Sequence, residues 1–269
     1  MVRINTRYNI LKCSLLICLT AIGLTARAQK FSLGVKGGPL VNWAHFANSE
    51  DKSGFSSEPA IGFTVGGDIT FPLKNNYAFL AEGAYSLKGR RVKFNDGMWE
   101  NNNTYTFLDL SMFLRKTFRL HIKENLPTKW FVSIGPQVSY WLTAKGRIVV
   151  EGQGPSYNII FNQVPDANFH NMYYNDVNEW LFGLSAGVGF EAPIKKDQRV
   201  SFELRFVSGH TYLGGKNSAY IEILGFEDKS LKQNLKVLQF TVAYTWDFDL
   251  KEGKKGKSTM DKAIKKKRR

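Results

Sequence analysis

Cysteine is almost missing from this chain of 269 residues. The two present, Cys13 and Cys18, fall inside an N-terminal stretch that reads as an export signal. A body without cysteine excludes a thiolate metal centre, a cysteine nucleophile and a disulfide framework. Long apolar runs are missing too. Beyond the signal none reaches the roughly 18 residues that mark a membrane-spanning helix. Amphipathic helical periodicity is absent after residue 30. Histidine is scarce, with only His45, His121, His170 and His210. There is no His-Glu-x-x-His pair and no Asp-x-Asp-x-Asp-Gly loop, and "GVKGG" and "GVGFE" lack the βαβ setting of a nucleotide fingerprint. The sequence therefore predicts no metal, no cofactor and no catalytic residue.

The export signal has three parts. Arg3, Arg7 and Lys12 supply a positive start, "CSLLICLTAIGLTA" (Cys13 to Ala26) an apolar stretch of 14 residues, and Ala26-Arg27-Ala28 the small residues before a cleavage site. A cleaved secretory signal over 1–28 is expected, with passage through the general secretion route.

The formal net charge is +14 but it is unevenly spread. Residues 1–28 hold four Lys/Arg and no acid. Residues 251–269 hold ten Lys/Arg against Glu252 and Asp261. Only +2 is left for 29–250. The basic balance thus belongs to the two ends, and it is no argument that the body binds nucleic acid.

What the body does contain is alternation. Eight stretches with a period near two cover approximately 30–42, 59–73, 77–91, 104–118, 129–143, 177–192, 198–210 and 234–249. In "WLFGLSAGVGFE" one face carries Trp180, Phe182, Leu184, Ala186, Val188 and Phe190, and the other Gly183, Ser185, Gly187, Gly189 and Glu191. In "LQFTVAYTWDFDL" the apolar face runs from Leu238 to Leu250. The connections alternate in length: short at about 74–76, 119–128 and 193–197, long at about 43–58, 92–103, 144–176 and 211–233. Outer-membrane barrels have this layout.

Two arrangements fit such strands. A soluble barrel turns its apolar face inward to hold an apolar ligand, and a membrane barrel turns it outward to lipid. The membrane arrangement is favoured on three grounds. The strands are long for a soluble sheet. Aromatic residues (Trp130, Tyr140, Trp180, Tyr244, Trp246, Phe248) gather near strand ends, where interfacial girdles sit. The polar face mixes small residues with charge, as the narrow interior of eight strands requires. The expected fold is all-β: an eight-stranded antiparallel up-and-down transmembrane β-barrel over 29–250, with a basic, disordered periplasmic tail at 251–269. Its interior should hold Lys36, Asp68, Glu82, Lys88, Asp109, Arg115, Glu191, Glu203 and Arg205 as a structural charge network.

The stretches "FSLGVKGG", "AIGFTVGGDITFPL", "YAFLAEGAYSLKG", "FLDLSMFLRKTF" and "WFVSIGPQVSYWL", in that order, resemble the PorT-like outer-membrane β-barrel family. The matching features are Gly37-Gly38, then Glu82 with Tyr85, Ser86 and Lys88-Gly89, then Gly135-Pro136. The resemblance implies an eight-strand outer-membrane barrel. The family's name-giving member is tied to protein secretion and gliding, but no residue here singles out that role. The chain also departs from such barrels, which often end at the last aromatic of the closing strand; it continues for 21 residues past Phe248.

The function so indicated is an integral protein of the bacterial outer membrane without catalytic activity, in a structural, adhesive or assembly role. Both termini should be periplasmic and the long loops external. Two alternatives stand beside it. One is a lipid-modifying barrel enzyme, for which Ser208, His210 and Glu203 would be the weak triad. The other is the soluble exported barrel. Expected partners are outer-membrane lipid and the barrel assembly machinery. The aromatic- and amide-rich loop 144–176 either recognises a protein or glycan or folds over the barrel mouth and buries its own aromatics. The basic tail suits an acidic partner; nucleic acid is not expected.

Overall fold

The computed structural model describes residues 30–47, 55–94, 99–123, 126–150, 153–164, 170–215, 219–220 and 231–249. The expected signal over 1–28 and the basic stretch 251–269 lie outside the described residues. The strands are β1 (Lys30–Phe46), β2 (Phe55–Glu58), β3 (Ala60–Pro72), β4 (Tyr77–Phe94), β5 (Trp99–Lys123), β6 (Leu126–Val150), β7 (Ser156–Phe161), β8 (Asn171–Tyr174), β9 (Trp180–Lys195), β10 (Gln198–Gly209), β11 (Ala219–Tyr220) and β12 (Gln233–Asp249).

Eight of them form a closed antiparallel ring in the order β1-β3-β4-β5-β6-β9-β10-β12. The closing seam joins β12 to β1 from Lys30↔Asp249 to Phe46↔Gln233. A ring satisfies every strand's backbone groups and leaves no edge, the condition for crossing a membrane with sheet. The short turns gather at one end, with Lys30 and Asp249. Between β3 and β4, Asn75 and Asn76 take left-handed φ of 58° and 61°, a conformation asparagine tolerates better than most residues.

Two Gly-Pro pairs sit inside strands. At Gly38 a side chain would collide with the Phe240 carbonyl of β12, and at Gly135 with the Met112 carbonyl of β5. The proline that follows each lacks an N–H. Pro39 and Pro136 are accordingly missing from the β1–β12 and β5–β6 pairings, while they remain in register with β3 and β9.

Several strands run farther than the alternation predicted. β5 and β6 each have 25 residues, against the expected 104–118 and 129–143. The stretch 144–176 is not one long loop: β6 continues to Val150, and β7 and β8 lie in it. β7 pairs with β6, β8 with β7 and β11 with β8, extending the sheet above the ring. A bulge on β6 explains why periodicity missed this. Thr106 pairs with Thr143 and Phe107 with Trp141, so Leu142 is the extra residue. One extra residue reverses the parity of everything after it. Odd residues of β6 point inward up to Trp141; after the bulge Ala144, Gly146 and Ile148 do.

Candidate functional site

The interior is built in three polar tiers under an aromatic cap. In the middle tier Arg205 on β10 lies between two carboxylates, Glu82 at 2.9 Å and Glu203 at 2.8 Å. Lys36 on β1 reaches Glu82 at 2.5 Å. Ser133 on β6 donates to Glu203 at 2.6 Å, and Arg115 stands 3.9 Å from the same carboxylate. Two inward phenylalanines complete the packing: Arg205 stacks 4.1 Å over Phe113, and Arg115 3.9 Å over Phe131. Burying charge is tolerable only when each group is paired and hydrogen-bonded, and here five strands contribute to one array. Asp68 borders it, half-buried, accepting from Thr70 at 3.1 Å. It makes no ion pair among the described residues, but it brings the array to three cations and three acids.

The upper tier is Lys88, 2.8 Å from Asp109 and 3.3 Å from Ser139, with Ser139 bonded to Asp109 and the Phe107 ring 4.6 Å from the ammonium. The lower tier faces the short-turn end. Glu191 lies 3.6 Å from Lys129 and 3.8 Å from Arg199, and Arg199 lies 3.1 Å from Asp247. These residues line an open cup of about 790 Å³, and Arg115 also lines it. The nine charged residues singled out from the sequence therefore divide among separate tiers rather than forming one network.

Above Lys88 the filling changes character. Tyr105, Phe107, Trp141, Ala144, Ile148, Tyr157, Ile159, Met172, Tyr174, Leu213 and Leu231 form one buried cluster. Tyr105 packs edge-on to Trp141 with centroids 4.8 Å apart. Among the described residues of stretch 144–176, Tyr157, Tyr173 and Tyr174 are all inside. Just below, a gap of about 30 Å³ touches Lys88 and Phe107, room for about one water molecule.

Residues that sequence reasoning missed are mostly in this upper region. Arg90 is buried and bonds Gln233 at 3.1 Å; it lies inside the expected stretch 77–91 on the even-numbered face of Ser86 and Lys88, so its parity alone marked it as interior. The Tyr157 hydroxyl lies 2.7 Å from the amide oxygens of both Asn101 and Asn103 and shares its one proton between them. No local signal marks these, because they depend on β7 folding back over the mouth. Phe107, Phe113 and Phe131 lie on the polar face, and only their parity identifies them as interior.

The outer face is apolar through the ring. Val132, Ile134, Phe182, Leu184, Phe202, Leu204, Phe240 and Val242 are all exposed. Trp130 stacks on Phe118 at 4.3 Å, Phe248 on Phe31 at 5.1 Å, and Tyr244 meets Trp246 at 4.7 Å, all toward the short-turn end. Tyr140 meets Trp180 at 4.7 Å toward the other end. From Trp130 to Tyr140 the strand spans roughly 25 Å along the axis, at about 3.3 Å per residue and a tilt near 40°. Above Tyr140 the same wall turns polar outside, with Arg91, Lys93, Glu100, Asn102, Lys145 and Arg147. The exposed apolar faces contradict the soluble barrel with an apolar ligand inside, whose binding surface would have to be the buried face.

Among the described residues the histidines form no constellation. His45, His170 and His210 are exposed, and the side chain of His121 lies outside the described residues. Glu203 points into the lumen, bound to Arg205 and Ser133. Ser208 has the opposite parity on β10 and His210 lies exposed just past the strand's end, so the weak triad is not assembled.

A family model for the outer membrane protein beta-barrel domain matches residues 27–212. Among solved structures, the chain is similar to Neisserial surface protein A (10% identity over 81% of this chain and 97% of that one, TM-score 0.39). It is similar also to the outer membrane protein OprG of Pseudomonas aeruginosa (10% identity, 81% and 95%, TM-score 0.41). A third is Ail, the attachment invasion locus protein of Yersinia pestis (10% identity, 81% and 98%, TM-score 0.32). No curated protein matches the chain.

Proposed function

We propose that this chain, which belongs to the outer membrane protein β-barrel domain family, is a non-catalytic integral protein of the bacterial outer membrane with a structural, adhesive or assembly role. One observation carries the reading: polarity inverts along single strands. Below the β6 bulge, β4, β5 and β6 are apolar outside and charged inside. Above it they are polar outside, and their inward Tyr105, Ala144 and Ile148 join the buried cluster that Trp141, Tyr157 and Tyr174 complete, with Arg90, Asn101 and Asn103 buried beside it. The lower part follows the rule for a wall in lipid and the upper part the rule for a protein in water. A lumen filled by paired charges and closed by an aromatic core favours a structural barrel over a channel.

Finer elements belong to the same proposal. The protein is of the PorT-like kind and its signal, 1–28, is cleaved on export. Residues 29–250 are the barrel, and 251–269 form a basic periplasmic tail that meets an acidic partner. Both termini are periplasmic, and β7, β8 and the adjoining connections face outward, where exposed polar groups are available to an envelope protein or glycan. Trp130, Tyr140, Trp180, Tyr244, Trp246 and Phe248 sit at the membrane interfaces, and the aromatic end of β12 engages the assembly machinery. The test is fractionation with gel mobility. The folded protein should be found in the outer-membrane fraction and migrate differently in SDS before and after boiling. Recovery of the mature protein from the soluble periplasm would overturn the proposal.

A further inference from the structure

Above the lipid-facing belt, the outer wall of β4 to β7 carries a cationic face, only part of which is neutralised by acids among the described residues. The register fixes its layout. One row crosses the sheet as Arg91, Asn102, Arg147 and Ser156, and the row beneath as Gly89, Thr104, Lys145 and Asn158. Toward β2 the charges satisfy one another: Arg91 is 3.0 Å from Glu100, and Lys93 is 2.8 Å from Glu58. Toward β7 they do not. Arg147 donates only its Nε, to the Gly154 carbonyl at 3.1 Å, and Lys145 has no hydrogen bond or ion pair among the described residues. Both are exposed, as is Asn158. On β6 the two are separated by one residue, so they point the same way.

We propose that Lys145 and Arg147 bind the phosphate of an anionic lipid headgroup, as a lateral site on the outside of the barrel. The inference rests on the membrane reading. Lys145 lies about 10 Å above Tyr140 along the barrel axis, allowing for the bulge. Aromatic girdles mark the headgroup level, and a lysine side chain reaches back toward it along the wall. Two uncompensated cations flanked by amide and hydroxyl donors fit a phosphate with attached polar groups: Arg147 offers its planar fork, Lys145 a point charge, Thr104 and Asn158 hydrogen bonds. At the opposite rim Lys116 is occupied, donating to the Asn75 carbonyl at 2.7 Å and lying over the Tyr77 ring.

The experiment is native mass spectrometry of the full mature protein in a neutral detergent, titrated with short-chain phosphatidic acid, with short-chain phosphatidylcholine, and with inorganic phosphate. Wild type should retain phosphatidic acid in preference to phosphatidylcholine. Lys145→Gln with Arg147→Gln should weaken that binding about thirtyfold at low salt, at about fivefold for each cation near a lipid surface. Lys116→Gln should leave it unchanged. Equal retention of the two lipids, or binding that survives the double substitution, overturns the site. Displacement of the lipid by millimolar inorganic phosphate overturns lipid as its source. A protein that dissolves without detergent would sink the membrane reading itself, whereas a detergent-soluble, heat-modifiable barrel with no headgroup preference would sink this inference alone.

Discussion

The middle of the barrel and its capped end are made by the same strands, yet they are filled on opposite principles. Around Arg205 the interior is ionic and the exterior apolar. Around Trp141 the interior is aromatic and the exterior carries Arg91, Lys93, Lys145 and Arg147. The difference follows from what lies outside the wall. In lipid, outward apolar residues gain nothing by turning inward, so the core is left to groups that can satisfy each other across the lumen. In water, outward positions are better filled by charge, and burial of Trp141, Tyr105 and Ile148 away from solvent drives the packing. The bulge at Leu142 stands near the switch, and it is what lets β6 present Ala144 and Ile148 to the cap.

The sharpest break of this contrast is in the middle tier. Arg205→Met leaves Glu82 and Glu203 buried beside too few cations and should cost about 3–5 kcal/mol. A urea titration of the detergent-folded barrel, followed by boiling-sensitive migration, would read this as a lower midpoint. Adding Glu203→Gln, which returns the array to two cations and two acids and leaves Lys36 paired with Glu82, should recover a large part of the loss; no recovery would mean the tier is not held by charge balance.

The next test sets the two exteriors against each other. Ile134→Arg places a charge on the wall midway between Trp130 and Tyr140 and should cost about 2–4 kcal/mol in a bilayer. Val149→Arg, also outward but above the bulge, should cost about 0–1 kcal/mol. Equal penalties from refolding titrations into lipid vesicles would dissolve the distinction between the regions.

The smallest effect concerns the crown's surface charges. Hydrogen bonding to Glu58, aided by the nearby Glu58 and Glu100 charges, raises the Lys93 ammonium above its ordinary 10.5. The folded value exceeds the unfolded one, so this contact's contribution is fully present below about pH 10.5 and is lost as pH rises through the raised folded value. A ¹³C NMR titration should place the Lys93 midpoint above that of Glu58→Gln; coincident midpoints would remove the pair from the account.

The two regions also differed in how legible they were. For the belt, a period of two is a direct consequence of strand geometry, so Trp180 to Phe190 and Leu238 to Phe248 announced both the strands and their outward face. The inward charges followed by parity, and the structure brings Lys36, Glu82, Glu203 and Arg205 together because they lie at matching heights on neighbouring parts of the ring. Matching height is not visible in a single strand, which is why Glu191 and Lys88, equally alternating, belong to other tiers. For the cap, periodicity gave the wrong picture of 144–176. The bulge reverses parity mid-strand, β7 and β8 are short, and Tyr157 finds Asn101 and Asn103 only through contacts more than fifty residues apart in sequence. Bulges and long-range closure leave no repeating local signature.

The central claim is that the wall of β6 passes from lipid into water between Tyr140 and Lys145. Single cysteines can report this directly, because the only natural ones, Cys13 and Cys18, lie in the predicted signal. Val132→Cys, Ile134→Cys, Lys145→Cys and Arg147→Cys would each be placed in the barrel, reconstituted in vesicles and exposed to a water-soluble maleimide. Positions 132 and 134 should resist labelling until the protein is unfolded, and 145 and 147 should label at once. Rapid labelling at 132 and 134, or protection at 145 and 147 matching theirs, would contradict the account.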